Sequence, residues 1–188
     1  ALRERVAARR PDDAGSLDAL ALTLQRLGDV TGMDGYPNLG DARETRALYR
    51  RAVAIRERLA AARPDDDDAT QRLALALELL GYTERNLGDP SAGLAHGRRA
   101  LALHERLLAR QPTYATRRAN LVNSGSMLRY TLRDLGRYAE ARAITGAGVE
   151  RLRAVVTADP RNVFLRRSLA TQLNAYAADQ LATGDAVG

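Results

Sequence analysis

The sequence predicts an all-α fold, a right-handed α-α superhelix of antiparallel helix pairs. Ala and Leu dominate an apolar content of 45%, and only 4% of residues are aromatic, a balance that favours helix. Pro64, Pro112 and Pro160 stand 48 residues apart. Leu39-Gly40, Leu87-Gly88 and Leu135-Gly136 keep the same step, and Thr183-Gly184 continues it. Leu73, Leu121 and Leu169 fall on this lattice too, as do the small residues Ala52, Ala100 and Gly148. Columns of unrelated residue types that share one period mark a stack of repeats.

The elements follow in order. Residues 1–10, ahead of Pro11, read as the end of a second helix (B) without its partner. Ala1 falls inside that helical pattern, so a piece of a longer protein is expected. Unit one spans 15–64, unit two 65–112 and unit three 113–160; residues 161–184 supply a further first helix (A). In unit two, Ala69–Asn86 is expected as helix A and Ser91–Arg110 as helix B, with Gly88-Asp89-Pro90 between them. Gly88 suits the left-handed position after a helix end, Asp89 can cap the next helix, and Pro90 fits its first turn. Leu73, Leu77, Leu80 and Leu87 share one helical face. Pro112 stops helix B.

Leu80-Gly81, Gly88-Asp89, Gly93, Ala100 and Pro112 of unit two resemble a tetratricopeptide repeat. Unit one carries the likeness in Leu27-Gly28, Gly40-Asp41, Tyr49, Ala52 and Pro64, and unit three in Gly136, Ala141, Gly148 and Pro160. That family repeats about every 34 residues, whereas the step here is 48. The excess divides into about seven residues per helix, which turn a helix by some 700°, about 20° short of two full turns. The buried stripe therefore runs through each lengthened helix without changing face.

The stretch LGDVTGMDGYPNLGD, residues 27–41, contains Leu-Gly-Asp twice. Leu27-Gly28 aligns with Leu80-Gly81 inside helix A, and Leu39-Gly40-Asp41 aligns with the turn Leu87-Gly88-Asp89. These pairs are twelve residues apart in unit one and seven in unit two, so unit one holds a five-residue insertion around Met33–Pro37. Gly28-Asp29-Val30, Pro37-Asn38-Leu39-Gly40-Asp41 and the helix Tyr49–Glu57 together are similar to the long-repeat tetratricopeptide region C-terminal to many bacterial serine/threonine kinases. The resemblance implies a non-catalytic regulatory or scaffolding module whose kinase activity lies elsewhere in the parent protein. Met33-Asp34-Gly35 departs from that family, which tends to show Asn-Pro nearby.

Several chemistries are excluded. Cys and Lys are both absent, so thiolate sites, disulfides, a phosphate-loop Lys and Schiff-base catalysis cannot occur. His96 and His104, eight apart, sit about 80° apart around a helix and are expected as exposed residues, not metal ligands. Asp65–Asp68 are expected to cap a helix start. Gly28, Gly32 and Gly35 lack the preceding strand and the following basic residue of a phosphate loop. No nucleophile–base pair can be placed, so no catalytic residue, metal or cofactor is expected. No segment is long and apolar enough to span a membrane, and a cytoplasmic setting is the expectation.

Binding is the better expectation. In tetratricopeptide arrays helix A lines the inner groove, and the resemblance places there Leu22, Gln25 and Asp29, then Leu75, Glu78, Tyr82, Arg85 and Asn86. One period later come Asn123, Ser126, Tyr130, Arg133 and Asp134, and after them Thr171, Asn174 and Ala178. Tyr and Arg are frequent binding hot spots, so Tyr82/Tyr130 and Arg85/Arg133 suit a protein or peptide partner of acidic character. The competing reading packs the tyrosines between units and pairs the arginines with Glu78 or Asp134. The paired Asn and Lys that similar domains use to clamp a terminal carboxylate are missing.

Arg50-Arg51 and Arg98-Arg99 form a column on helix B, read as a solvated outer face or a polyanion site. The net charge of +6 permits the latter, but Arg alternates with Glu and Asp along the chain, which makes nucleic acid the weaker expectation. Apolar surface at the terminal helices would favour homo-oligomers through end-to-end stacking.

Overall fold

The computed structural model describes residues 2–32, 38–112 and 114–184. The expected insertion at Met33–Pro37 lies outside the described residues. Among those described, the chain is all-α: α1 (Leu2–Arg9), α2 (Ala14–Gly32), α3 (Ala42–Ala62), α4 (Asp67–Asn86), α5 (Pro90–Arg110), α6 (Ala115–Asp134), α7 (Tyr138–Ala158) and α8 (Val163–Ala182). Successive helices pack as hairpins, with α2 on α3, α3 on α4, α6 on α7 and α7 on α8. The expected helices of unit two match α4 and α5 within two residues at their starts.

Two kinds of corner alternate. At the first, Gly40, Gly88, Gly136 and Gly184 all adopt positive φ, between 70° and 85°. Only glycine takes this conformation without a Cβ penalty, which explains the glycine column. Asp89 N donates to Glu84 O at 2.9 Å and Gly88 N to Arg85 O at 3.0 Å, the paired bonds of a Schellman ending. Arg137 and Gly136 repeat them on Leu132 and Arg133 at 2.8 and 2.9 Å. Asp41 and Asp89 then cap the next helix through the amides of Glu44 and Ala92, each at 2.9 Å.

Proline marks the second corner. Asp66 N bonds Arg63 O at 3.1 Å, Tyr114 N bonds Gln111 O at 3.1 Å, and Asn162 N bonds Asp159 O at 3.2 Å. Pro64, Pro112 and Pro160 therefore hold the same second position of a four-residue turn, where a fixed φ is an advantage. Pro11 does so too, under the bond from Asp13 N to Arg10 O. Asp66 caps α4 through Ala69 N at 2.9 Å, the role expected within Asp65–Asp68.

The chain divides into two compact units, residues 1–103 and 104–188. The first has its core around Tyr49, Val53, Leu73, Leu77, Leu80 and Ala100, with Leu24, Leu48 and Ala52 beside α2 and Ala7, Leu17 and Leu59 beneath α1. The ring of Tyr49 occupies the space where a Cβ on Gly28 would stand. Its hydroxyl donates to Asp29 Oδ1 at 2.6 Å, and burial with that carboxylate raises its pKa. The second unit buries Leu107, Leu121, Leu128, Leu132, Ala141, Val149 and Leu152. His104 is 1% exposed, which corrects the expectation of a surface histidine: eight residues of helical rotation carry it from the flank held by His96 into the core.

Candidate interaction surface

Helix A positions reach solvent unequally. In the first unit Leu22 and Leu75 are exposed, while Glu78, Tyr82 and Arg85 are half-buried. Gln25 is drawn inward: its Oε1 faces Arg56 Nη2 at 3.4 Å. Arg56 is itself buried and pairs with Asp18, which also accepts from Arg72 Nη1 at 2.7 Å. Burial would raise the pKa of Asp18, but the hydrogen bonds from Arg56 and Arg72 outweigh it and hold the carboxyl low. This trio ties α2, α3 and α4 together, and Gln25 belongs more to it than to a binding wall.

In the second unit the expected residues separate into two sets. Arg133 Nη1 donates to Asp179 Oδ1 at 2.7 Å. Arg129 Nε and Thr145 Oγ1 donate to the other oxygen, at 2.6 and 2.7 Å. Asp179 is fully buried; burial pushes its pKa up, but the bonds from Arg129, Thr145 and Arg133 prevail and hold it low. Ser126 accepts from Gln172. Arg129, Arg133 and Ser126 thus fasten α6 to α8.

Asn123, Tyr130 and Asn174 form the other set, and all three face solvent. Tyr130 is 53% exposed, with the Arg129 guanidinium 5.3 Å from its ring centre. Asn123 borders a cleft of about 50 Å³ lined also by Arg118, Ala119 and Val122 of α6, Leu152 and Val155 of α7, and Phe164, Leu165 and Ser168 of α8. Phe164, the chain's one phenylalanine, is 71% exposed. It shares a helical stripe with Arg167, Thr171 and Asn174. Stopping the helix A positions at Thr171, Asn174 and Ala178 overlooked it, although helical spacing extends that stripe back to Phe164. A larger open trough of about 500 Å³ runs along α7 beside Tyr176; its floor is small residues such as Ala143, Gly146 and Ala147.

The arginine column on helix B is engaged within the protein. Arg50 donates twice to Glu84 Oε1, at 3.1 and 2.6 Å, and Glu84 is fully buried. Arg46 stands 3.5 Å from the other oxygen. His96 lies nearby with its buried Nδ1 unbonded; burial lowers its pKa, Glu84 pulls it up, and Arg99 and Arg50 push it down again. Arg51 pairs with Glu4 at 2.5 Å and Arg99 with Glu57, each linking one helix B to the next. Arg151 and Glu105, at 3.8 Å, make a similar link in the second unit. Among the described residues no three His, Cys, Asp or Glu side chains group as a metal site, and no described helix is long and apolar enough to cross a membrane.

Residues 73–112, which run from α4 through α5, match the family model for the tetratricopeptide repeat. No curated protein sequence matches the chain. Among solved structures, the chain is similar to that of the yeast histone chaperone Hif1, described as a scaffold protein recruiting protein complexes to core histones. The TM-score is 0.51 at 14% identity, over 89% of this chain and 76% of that one. The likeness is one of fold: an α-helical repeat array.

Proposed function

We propose that this chain is a non-catalytic protein-interaction module that docks a protein or peptide on its helix A surface. The cleft between α6 and α8 carries the reading, because it joins an apolar hollow to Asn123 and lies on the helices that bear exposed Tyr130, Phe164 and Asn174. An amphipathic aromatic at low side-chain entropy is suited to such contacts. The tetratricopeptide match of one hairpin and the scaffold role stated for Hif1 are consistent with it. The arginine column supports a polyanion partner less well, since Arg50, Arg51 and Arg99 already face carboxylates.

The test is capture of partners from a lysate of the source organism by the wild type and by Asn123→Lys/Tyr130→Ser. Both positions are exposed, so melting should stay within about 0.5 kcal/mol of wild type. Partners identified by mass spectrometry should disappear with the double variant. An unchanged set of partners would overturn the reading.

The finer proposal, a regulatory region of a bacterial serine/threonine kinase, rests on the sequence of Gly28–Glu57; a kinase Lys and an Asp-Phe-Gly segment in the upstream sequence would support it. Self-association is the second reading. It is favoured by apolar exposure on α1 and α8, where Leu2 is 67% and Val163 73% exposed. Sedimentation equilibrium giving one monomer mass at all concentrations would exclude it.

A further inference from the structure

We propose that the α6/α8 cleft takes an acidic peptide segment: one small aliphatic side chain enters the hollow, and flanking carboxylates pair with Arg118, Arg166 and Arg167. The proposal rests on the docking reading above and specifies its occupant. The hollow is walled by Val122, Leu152, Val155, Phe164 and Leu165, so it selects an apolar group. The hollow is small, about 50 Å³, and its apolar walls suit an aliphatic tip.

Charge sets the rest. Residues 115–133 of α6 and 163–178 of α8 contain no Asp or Glu, yet hold Arg117, Arg118, Arg129, Arg133, Arg166 and Arg167. Arg129 and Arg133 share the one carboxylate of Asp179, and Arg117 is buried with Nη1 on Leu107 O. Arg118 spends its Nε on Pro112 O at 2.8 Å. Arg118, Arg166 and Arg167 have no ion-pair partner among the described residues, and the last two are exposed. The acids that bound these two stretches in sequence are Asp134, Asp179 and Asp159, the last of which accepts from Asn162 Nδ2, and on α7 Glu150 accepts from Arg153 Nη1 at 2.9 Å. An apolar hollow with cations on two helices beside it matches an aliphatic residue set among carboxylates. A nucleic-acid strand would call for a run of stacking rings, and Phe164 is the one aromatic ring at the cleft.

The probes are fluorescein-labelled twelve-residue peptides: one with a single Leu among Asp, Glu, Ser and Gly, one with that Leu replaced by Ser, and one with the acids replaced by Lys. Anisotropy with the whole chain should show binding of the acidic Leu peptide alone. Affinity should fall at least tenfold with Arg166→Glu/Arg167→Glu and with Phe164→Ala. The charge-matched control Arg26→Glu/Arg43→Glu, on exposed positions of α2 and α3, should bind as the wild type does. Equal loss in the control, equal binding of the Ser peptide, or binding of labelled oligo(dT) in place of the peptides would overturn the proposal. If no peptide binds while lysate partners still depend on Asn123 and Tyr130, this occupant falls and the docking reading stands. If neither the peptides nor the lysate partners respond, the docking reading falls with it.

Discussion

Asp179 exposes nothing to solvent and collects donors from two helices other than its own. Replacing it by Asn leaves Arg129, itself buried, beside a neutral group. Such one-sided loss costs about 3–5 kcal/mol, to be read as an earlier urea midpoint and faster amide exchange in α8. The folded state keeps this carboxyl ionised to lower pH than the unfolded chain does. Its contribution is therefore complete above the ordinary value near 3.8 and is lost as pH falls below it. Acid titration of the wild type should show this loss, and Asp179→Asn should not. Close packing supplies a second case. A Cβ on Gly93 would stand 2.8 Å from the backbone oxygen of Gly81, where no side chain can yield. Gly93→Ala should cost about 1–3 kcal/mol, seen as a lower thermal midpoint. Gly93 could be singled out in the sequence because close approach needs a missing side chain. Asp179 could not, because a single Asp on a helix face carries no sign of burial until Arg129, Arg133 and Thr145 surround it.

Corners and ion-pair rungs organise the elements. The glycine column and the proline column were both legible, since each residue type satisfies a backbone demand that few others meet. The rungs were half legible. Arg50-Arg51 and Arg98-Arg99 stand out by repetition, but their carboxylate partners do not. Glu4, Glu57 and Glu105 are spaced 53 and 48 residues apart, and the extra five of the insertion hides the column. Removing those five residues from the count brings the three acids into register, each facing an arginine of the next helix B. These pairs lie at the surface, where an ion pair such as Glu57–Arg99 is worth about 0.2–1 kcal/mol. A double-mutant cycle on Glu57→Gln and Arg99→Gln should return a coupling of that size that fades in high salt. The proposed binding wall was legible only in part for a similar reason. Asn123, Tyr130 and Asn174 are exposed, whereas Gln25, Ser126 and Arg133 have partners contributed by neighbouring helices, and those depend on helix rotation that a spacing rule does not resolve.

On the scale of the whole molecule, a period of 48 residues sufficed to predict an all-α stack of hairpins, because four glycines and three prolines repeat their geometry. The net charge of +6 said less than it suggested, since it is unevenly distributed. The helix A walls of the second unit hold Arg118, Arg166 and Arg167, which have no ion-pair partner among the described residues, while α2 and α4 of the first carry Asp18, Asp29, Asp67, Asp68, Glu78 and Glu84. The corner after α2 has a practical meaning. Leu39 N reaches back to Val30 O at 3.1 Å and Asp41 N to Thr31 O at 3.0 Å, and Gly40 keeps the same positive φ as its counterparts. The chain thus enters α3 through the same kind of junction as its counterparts. Doubling the length of a flexible connection adds only about 0.6 kcal/mol of closure entropy. A ten-residue Gly/Ser stretch inserted between Met33 and Pro37 should leave the junction at Gly40 standing, read as a thermal midpoint close to that of the wild type.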